Sequence, residues 1–157
     1  MKHYKVDYSV NEKKAPEKID WDALRKEAIS ECDVDSSSNE FFMFNKYFDK
    51  NFKIKLAKLK DSAKNTKYRS EEEYSDLQLF LDVAKDLGLK VNLILVPLQG
   101  YWADYTGVPK EEIEYYYSRI REISDKNNVN LIDYSKYSYT KYFFRDATHL
   151  GRLGLLQ

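Results

Sequence analysis

Lys90–Val91–Asn92–Leu93–Ile94–Leu95–Val96–Pro97 is the stretch on which the fold turns. It is a near-continuous apolar run, bounded by Gly88 and Pro97, and rich in branched side chains. Its length and branching predict a strand buried on both faces, as in a parallel sheet covered by helices. Just before it, Tyr74, Leu77, Phe80, Leu81, Ala84 and Leu87 recur at helical spacing and predict a helix with one apolar face. Ser70 followed by Glu73 reads as a capping box at the start of that helix, and Gly88 as its left-handed stop. Beyond the strand, Pro109 opens a second long helix through Ile113, Tyr116, Tyr117, Ile120 and Ile123, ending near Asn127 and Asn128. Val129 to Asp133 then predicts a second strand. Helix, strand, helix, strand with short links is half of a doubly wound α/β sheet.

Farther from this unit the signals weaken. Residues 1–18 are polar and lysine-rich, without periodicity, and read as an arm. Asp20 caps a helix through Trp21, Leu24, Ala28, Ile29 and Cys32, and Asp33 to Asn39 has the composition of a loop. Phe44, Tyr47, Phe48, Phe52, Leu56 and Leu59 predict one or two short helices. The chain therefore divides into a helical N-terminal segment with a flexible arm (residues 1–69) and an α/β part (residues 70–157).

Composition removes several classes of function. The 157 residues carry 26 Lys plus Arg and 26 Asp plus Glu, a balance that argues against a nucleic-acid protein. The lysines at 53, 55, 58, 60, 64 and 67 are interleaved with Asp61 and followed by Glu71–Glu73, the pattern of a solvated helical face. One cysteine, Cys32, allows no internal disulfide. The two histidines, His3 and His149, lack partners at ligand spacing, so no metal site is expected. The longest apolar run falls far short of the roughly twenty residues that span a bilayer, so this stretch of chain is expected to be soluble. Fourteen tyrosines and 15 % aromatic residues suit either half-buried packing or a surface for polar, sugar-like ligands.

In open α/β sheets chemistry gathers outside the carboxyl ends of the strands, which singles out two loops. The first, Pro97 to Gly107, carries Gln99, Gly100, Tyr101, Trp102, Asp104 and Tyr105. An amide and aromatics there could bind a polar substrate or form a packed lid over the sheet edge. The second carries Asp146 and His149, three apart and so on one side of a helical turn, followed by Gly151. A carboxylate so placed can hold Nδ1–H, fix the imidazole tautomer and stabilise the imidazolium formed when Nε2 takes a proton. A helix-capping Asp beside an unrelated His is the competing explanation.

Three ordered motifs carry a family resemblance: Ser70 to Lys85, Val96 to Gly107 with Pro97–Leu98–Gln99–Gly100, and Asp146–Ala147–Thr148–His149–Leu150–Gly151. Together with Ser38–Asn39 ahead of Phe41 and Phe42, they resemble the C-terminal region of DltD, the D-alanyl-lipoteichoic acid biosynthesis family of Gram-positive bacteria. The resemblance implies an SGNH-hydrolase-like (flavodoxin-like) parallel sheet flanked by helices, incomplete at its N-terminal side. It also implies a membrane-anchored protein at the extracytoplasmic face that takes part in D-alanylation of teichoic acid by serine-dependent acyl transfer, without a cofactor. Implied partners are a D-alanyl donor (carrier protein or membrane component), lipoteichoic acid and other Dlt membrane proteins. In this reading His149 is the general base and Asp146 its orienting partner, while Gln99, Gly100, Tyr101 and Trp102 contact substrate.

Two departures stand out. Where the family shows Pro-Val-Asn-Gly this chain has Pro97–Leu98–Gln99–Gly100, and after Gly151 the family's Trp-Lys-Gly-Trp is replaced. A nucleophile elbow needs glycine beside the serine, and none precedes Gly88. The nucleophile is therefore expected upstream, outside this sequence, and the chain alone is expected to hydrolyse no ester. A non-catalytic module binding a polyol-phosphate polymer or a partner protein is the alternative.

Overall fold

The computed structural model describes residues 18–157; the proposed arm over residues 1–18 falls almost wholly outside them. Helix α1 spans Trp21–Asp35, and Asp20 caps it by accepting the Ala23 N–H at 3.0 Å. The helix overruns the expected loop as far as Asp35, burying Ala28 and Cys32 while Ile29 stays exposed. The aromatic stretch forms α2 (Asn45–Asn51), a 3-10 turn (Lys53–Lys55) and α3 (Leu56–Leu59). Then come α4 (Glu71–Asp86), β1 (Asn92–Leu95), α5 (Gly100–Thr106), α6 (Lys110–Lys126) and β2 (Asn130–Asp133). Short 3-10 turns at Ser135–Tyr137 and Gly154–Leu156 complete the chain. None of the described helices is long and apolar enough to cross a membrane.

The strands pair in parallel, with Asn92, Leu93, Ile94 and Leu95 opposite Asn130, Leu131, Ile132 and Asp133. The architecture is thus mixed α/β, a two-stranded parallel sheet flanked by helices. Side chains alternate across a sheet. Leu93 packs toward a cluster built on Tyr74, Leu81 and Ile123, contributed by α4 and α6. Ile94 and Ile132 point the other way and stay 58 % and 38 % exposed. Burial on both faces, expected for β1, is therefore corrected. The two long helices lie against one face, and among the described residues nothing covers the other.

The ends of α4 teach a similar lesson. Gly88, at φ 67°, terminates the helix, and Leu89 N–H donates to Ala84 O at 2.8 Å, closing the left-handed stop. Ser70 occupies the N-cap, but its side chain makes no capping hydrogen bond. The capping-box reading is corrected to that extent. Phe80 and Leu87, expected on the apolar face, are exposed, because only the Tyr74–Leu81–Ala84 stripe meets α6.

Residues 67–69 are held down by Glu112, in the first turn of α6 and 1 % exposed. Its carboxylate accepts from Arg69 Nε at 2.8 Å and from the Tyr68 N–H at 3.0 Å, with Lys67 Nζ at 3.7 Å. The Arg69 hydrogen bond first, then the Tyr68 N–H, hold the Glu112 carboxyl below its ordinary value against the opposing effect of burial. A carboxyl depressed in the folded state contributes stability above its unfolded value, about pH 4.3, and loses it as pH falls through the lower folded value. Melting temperature should therefore fall in this acid range, and Glu112→Gln should remove part of that slope while lowering the melting point at neutral pH. An unchanged acid slope would show that the Glu112 clamp carries none of it.

Candidate acid–base site at the sheet edge

Asp146 and His149 lie on a tight loop, not on the helical turn their spacing predicts. Phe144 and Leu150 form an antiparallel bridge, Arg145 N–H donates to His149 O at 2.8 Å, and Gly151 N–H donates to Phe143 O at 2.8 Å. The loop closes this tightly because position 151 has no side chain: a Cβ there would lie 2.7 Å from Tyr142 O. Gly151 thus permits a backbone approach that any side chain would block.

Inside the loop Asp146 is buried and His149 is open, with side-chain exposures of 8 % and 76 %. Asp146 Oδ1 accepts the backbone N–H groups of Thr148 at 3.0 Å and His149 at 2.9 Å. Its two oxygens both lie 3.0 Å from His149 Nδ1. Burial alone would raise the Asp146 carboxyl, but the two backbone donors and the imidazole outweigh it and hold the group below its ordinary value. An ionised carboxylate only accepts, so the neutral imidazole carries its proton on Nδ1 and leaves Nε2 free as a base. The competing explanation also holds in part, since Asp146 does cap this turn. It caps the loop and orients the ring with the same oxygens.

This arrangement has a direct spectroscopic signature. At about pH 8, long-range proton–nitrogen correlations should show His149 as the Nδ1–H tautomer, and Asp146→Ala should return it toward the Nε2–H form common in free imidazole. The same tautomer in both proteins would mean that Asp146 does not set it.

The loop meets the carboxyl end of β1. Ala147 and Thr148 share a cleft of about 450 Å³ with Pro97, Leu98, Tyr74 and Tyr116. Phe44 N–H donates to Arg145 O at 2.9 Å, tying the Asn39–Phe44 segment to the same loop. Asn39 holds that segment in shape, donating to Met43 O and accepting the Met43 N–H. The Asn39 motif is therefore a support for the Asp146 loop. Phe42 (φ 54°) and Tyr142 (φ 64°), both in the left-handed region that side chains disfavour, meet edge-to-face at 5.9 Å beside it.

The imidazole's hydrogen bonds, to Asp146 and Thr148, involve none of the other candidates. The loop from Pro97 to Gly107 is largely the helix α5, which neither glycine spacing nor composition announced. Gln99 caps it, accepting the Trp102 N–H while its Nε2 donates to Phe41 O at 2.6 Å. Both ends of that amide are engaged within the chain. Gly100 lies against the Tyr139 ring, where a Cβ would come within 2.7 Å. Tyr101 hydrogen-bonds Tyr139 O, and Trp102 packs on Phe41, Phe52 and Tyr105. Tyr139 in turn donates to Asp104 at 3.0 Å, and burial with that carboxylate pushes its hydroxyl up to about 12. In this chain the first loop has the contacts of a packed lid.

Fold and site together define an α/β protein with an oriented Asp–His pair at the carboxyl edge of its sheet. The profile of the DltD protein family matches residues 1–157. The chain is 32 % identical over 155 residues to Protein DltD of Bacillus subtilis, covering 94 % of this chain and 39 % of that one. It is 27 % identical over 134 residues to Protein DltD of Staphylococcus aureus, covering 85 % and 34 %. Protein DltD of Lacticaseibacillus rhamnosus is 27 % identical over 124 residues, covering 78 % and 29 %. The chain belongs to the DltD family, and it spans under two fifths of the length of these relatives.

Proposed function

We propose that this chain supplies the acid–base pair for serine-dependent D-alanyl transfer onto teichoic acid, within an SGNH-hydrolase-like sheet completed by residues outside it. The carrying observation is the Asp146–His149 pair, ring nitrogen 3.0 Å from both carboxylate oxygens, with Nε2 unengaged among the described residues. His149 Nε2 takes the proton of a serine hydroxyl as its oxygen attacks the D-alanyl carbonyl, and returns that proton to the departing group. Asp146 keeps the ring in the productive tautomer and stabilises the imidazolium. The second half-reaction runs the same path, with a teichoic-acid hydroxyl as the incoming nucleophile. The Ile94–Ile132 face, uncovered among the described residues, supports completion of the sheet's far side by further chain. Membership of the DltD family supports the substrate, partners drawn from the same D-alanylation route, and action outside the cell membrane.

The test is a chimera in which this chain replaces the aligned 155 residues of the Bacillus subtilis protein, in cells lacking their own copy. The parent chimera is expected to restore D-alanine esters on teichoic acid. His149→Ala should fall to background, since loss of such a base costs about 10³-fold or more. His149→Ala cells with parental ester content would sink the proposal.

A further inference from the structure

On the opposite side of Leu98 from the acid–base loop lies a second hollow at the carboxyl edge of the sheet, of about 440 Å³. Three cations line it: Lys110 and Arg121 from α6, and Lys136 from the turn after β2. The hydroxyl-bearing residues Tyr117, Ser135 and Ser138 line it as well. Their hydrogen bonds leave one proton, that of Tyr117, only weakly held. Tyr117 is buried, accepts the Leu98 N–H at 2.9 Å, and has only Ser138 Oγ, 3.4 Å away, near its own proton. Ser138 Oγ is already donating to Ser135 O at 2.8 Å. Ser135 Oγ accepts from Arg121 at 2.7 Å, and its hydroxyl hydrogen-bonds the neighbouring Asp133 carboxylate.

The charges are only partly compensated. Arg121 Nε pairs with Asp133 at 2.8 Å, and its second terminal nitrogen has no partner among the described residues. Lys110 reaches Asp104 only at 4.0 Å, and Lys136 lies over the Tyr137 ring at 5.0 Å with no carboxylate partner among the described residues. Glu114 is the carboxylate that lines the hollow. A half-buried guanidinium beside a buried tyrosine hydroxyl, with two exposed ammonium groups at the rim, forms a donor set that tetrahedral oxyanions use. The volume exceeds that of a bare phosphate and leaves room for a small polar substituent.

The geometry points to this hollow as a binding site for a phosphate group, held on Arg121 and Tyr117 and closed by Lys110 and Lys136. It needs neither the Asp146–His149 pair nor any acyl chemistry, and so stands or falls apart from the proposed function. Because the ligand chemistry is shared by free phosphate and by phosphate esters, both are used as probes.

Inorganic phosphate, glycerol 3-phosphate and acetate are titrated into the chain at constant ionic strength, following backbone amide resonances. Saturable shifts are expected at Ser135 to Tyr139 and near Lys110 with both phosphates. Tighter binding of the ester assigns the source as a phosphate ester, and equal or weaker binding assigns it as free phosphate. The double variant Lys110→Ala/Lys136→Ala removes two exposed side chains, so resonances elsewhere should stay in place, and affinity should fall about tenfold or more. No saturable shift, an affinity unchanged in the double variant, or equal saturation by acetate would overturn the assignment.

Discussion

Phe143→Ala is expected to cost this chain about 3–5 kcal/mol of stability, the usual price of emptying a fully buried aromatic site. Phe143 is 0 % exposed. Its ring stacks on Tyr137 with centroids 4.9 Å apart and meets Phe144 and Tyr134 edge-on at 5.1 and 6.0 Å. Its carbonyl accepts the Gly151 N–H that closes the Asp146 loop. Removing the ring therefore opens a cavity and loosens the segment that carries the Asp146–His149 pair. Phe143→Leu, which keeps most of the volume, should cost much less. Guanidinium unfolding of the two variants measures the difference. A loss below about 1 kcal/mol for Phe143→Ala would mean that this cluster is not a stabilising core.

The second large effect is expected from a single methyl group. Gly151→Ala would bring a Cβ to 2.7 Å from Tyr142 O, 3.1 Å from the Phe144 carbonyl carbon and 3.2 Å from Arg145 N. These neighbours are backbone atoms, so no rotamer change relieves the contact. The loop must open, at a cost of about 1–3 kcal/mol. The Arg145 N–H to His149 O bond should be lost with it, and His149 should drift from Asp146. Stability measurements and the imidazole tautomer should then change together. A stable Gly151→Ala protein that keeps the Nδ1–H tautomer would show that the loop does not depend on this close approach.

Legibility in the sequence differed from element to element for physical reasons. The helices α4 and α6 were readable because their apolar residues repeat at helical spacing and Gly88 and Asn128 mark left-handed ends. The strands were readable as apolar runs between breakers. Helix α5 was not, because one glycine opens it, another ends it, and its cap is a glutamine whose role depends on Phe41, 58 residues away. The pairing of Asp146 with His149 was suggested by spacing, although the geometry that achieves it is a bridged loop. The phosphate-binding hollow left no sequence signal, since Lys110, Arg121 and Lys136 meet only when α6 crosses from β1 to β2.

The sequence by itself determined the alternation of helix and strand, the parallel pairing and the spacing that lets Asp146 meet His149. These follow from local spacing and from residue chemistry that any fold must respect. Only the tertiary structure decided which faces are covered, because covering depends on which helix lies against which side of the sheet. It left Ile94 and Ile132 exposed, placed Gln99 at the cap of α5, and engaged Tyr101 and Trp102 in packing. A side chain's donors and acceptors are spent on whatever the fold brings near. For Gln99 that was the Phe41 carbonyl, and for His149 it was the Asp146 carboxylate.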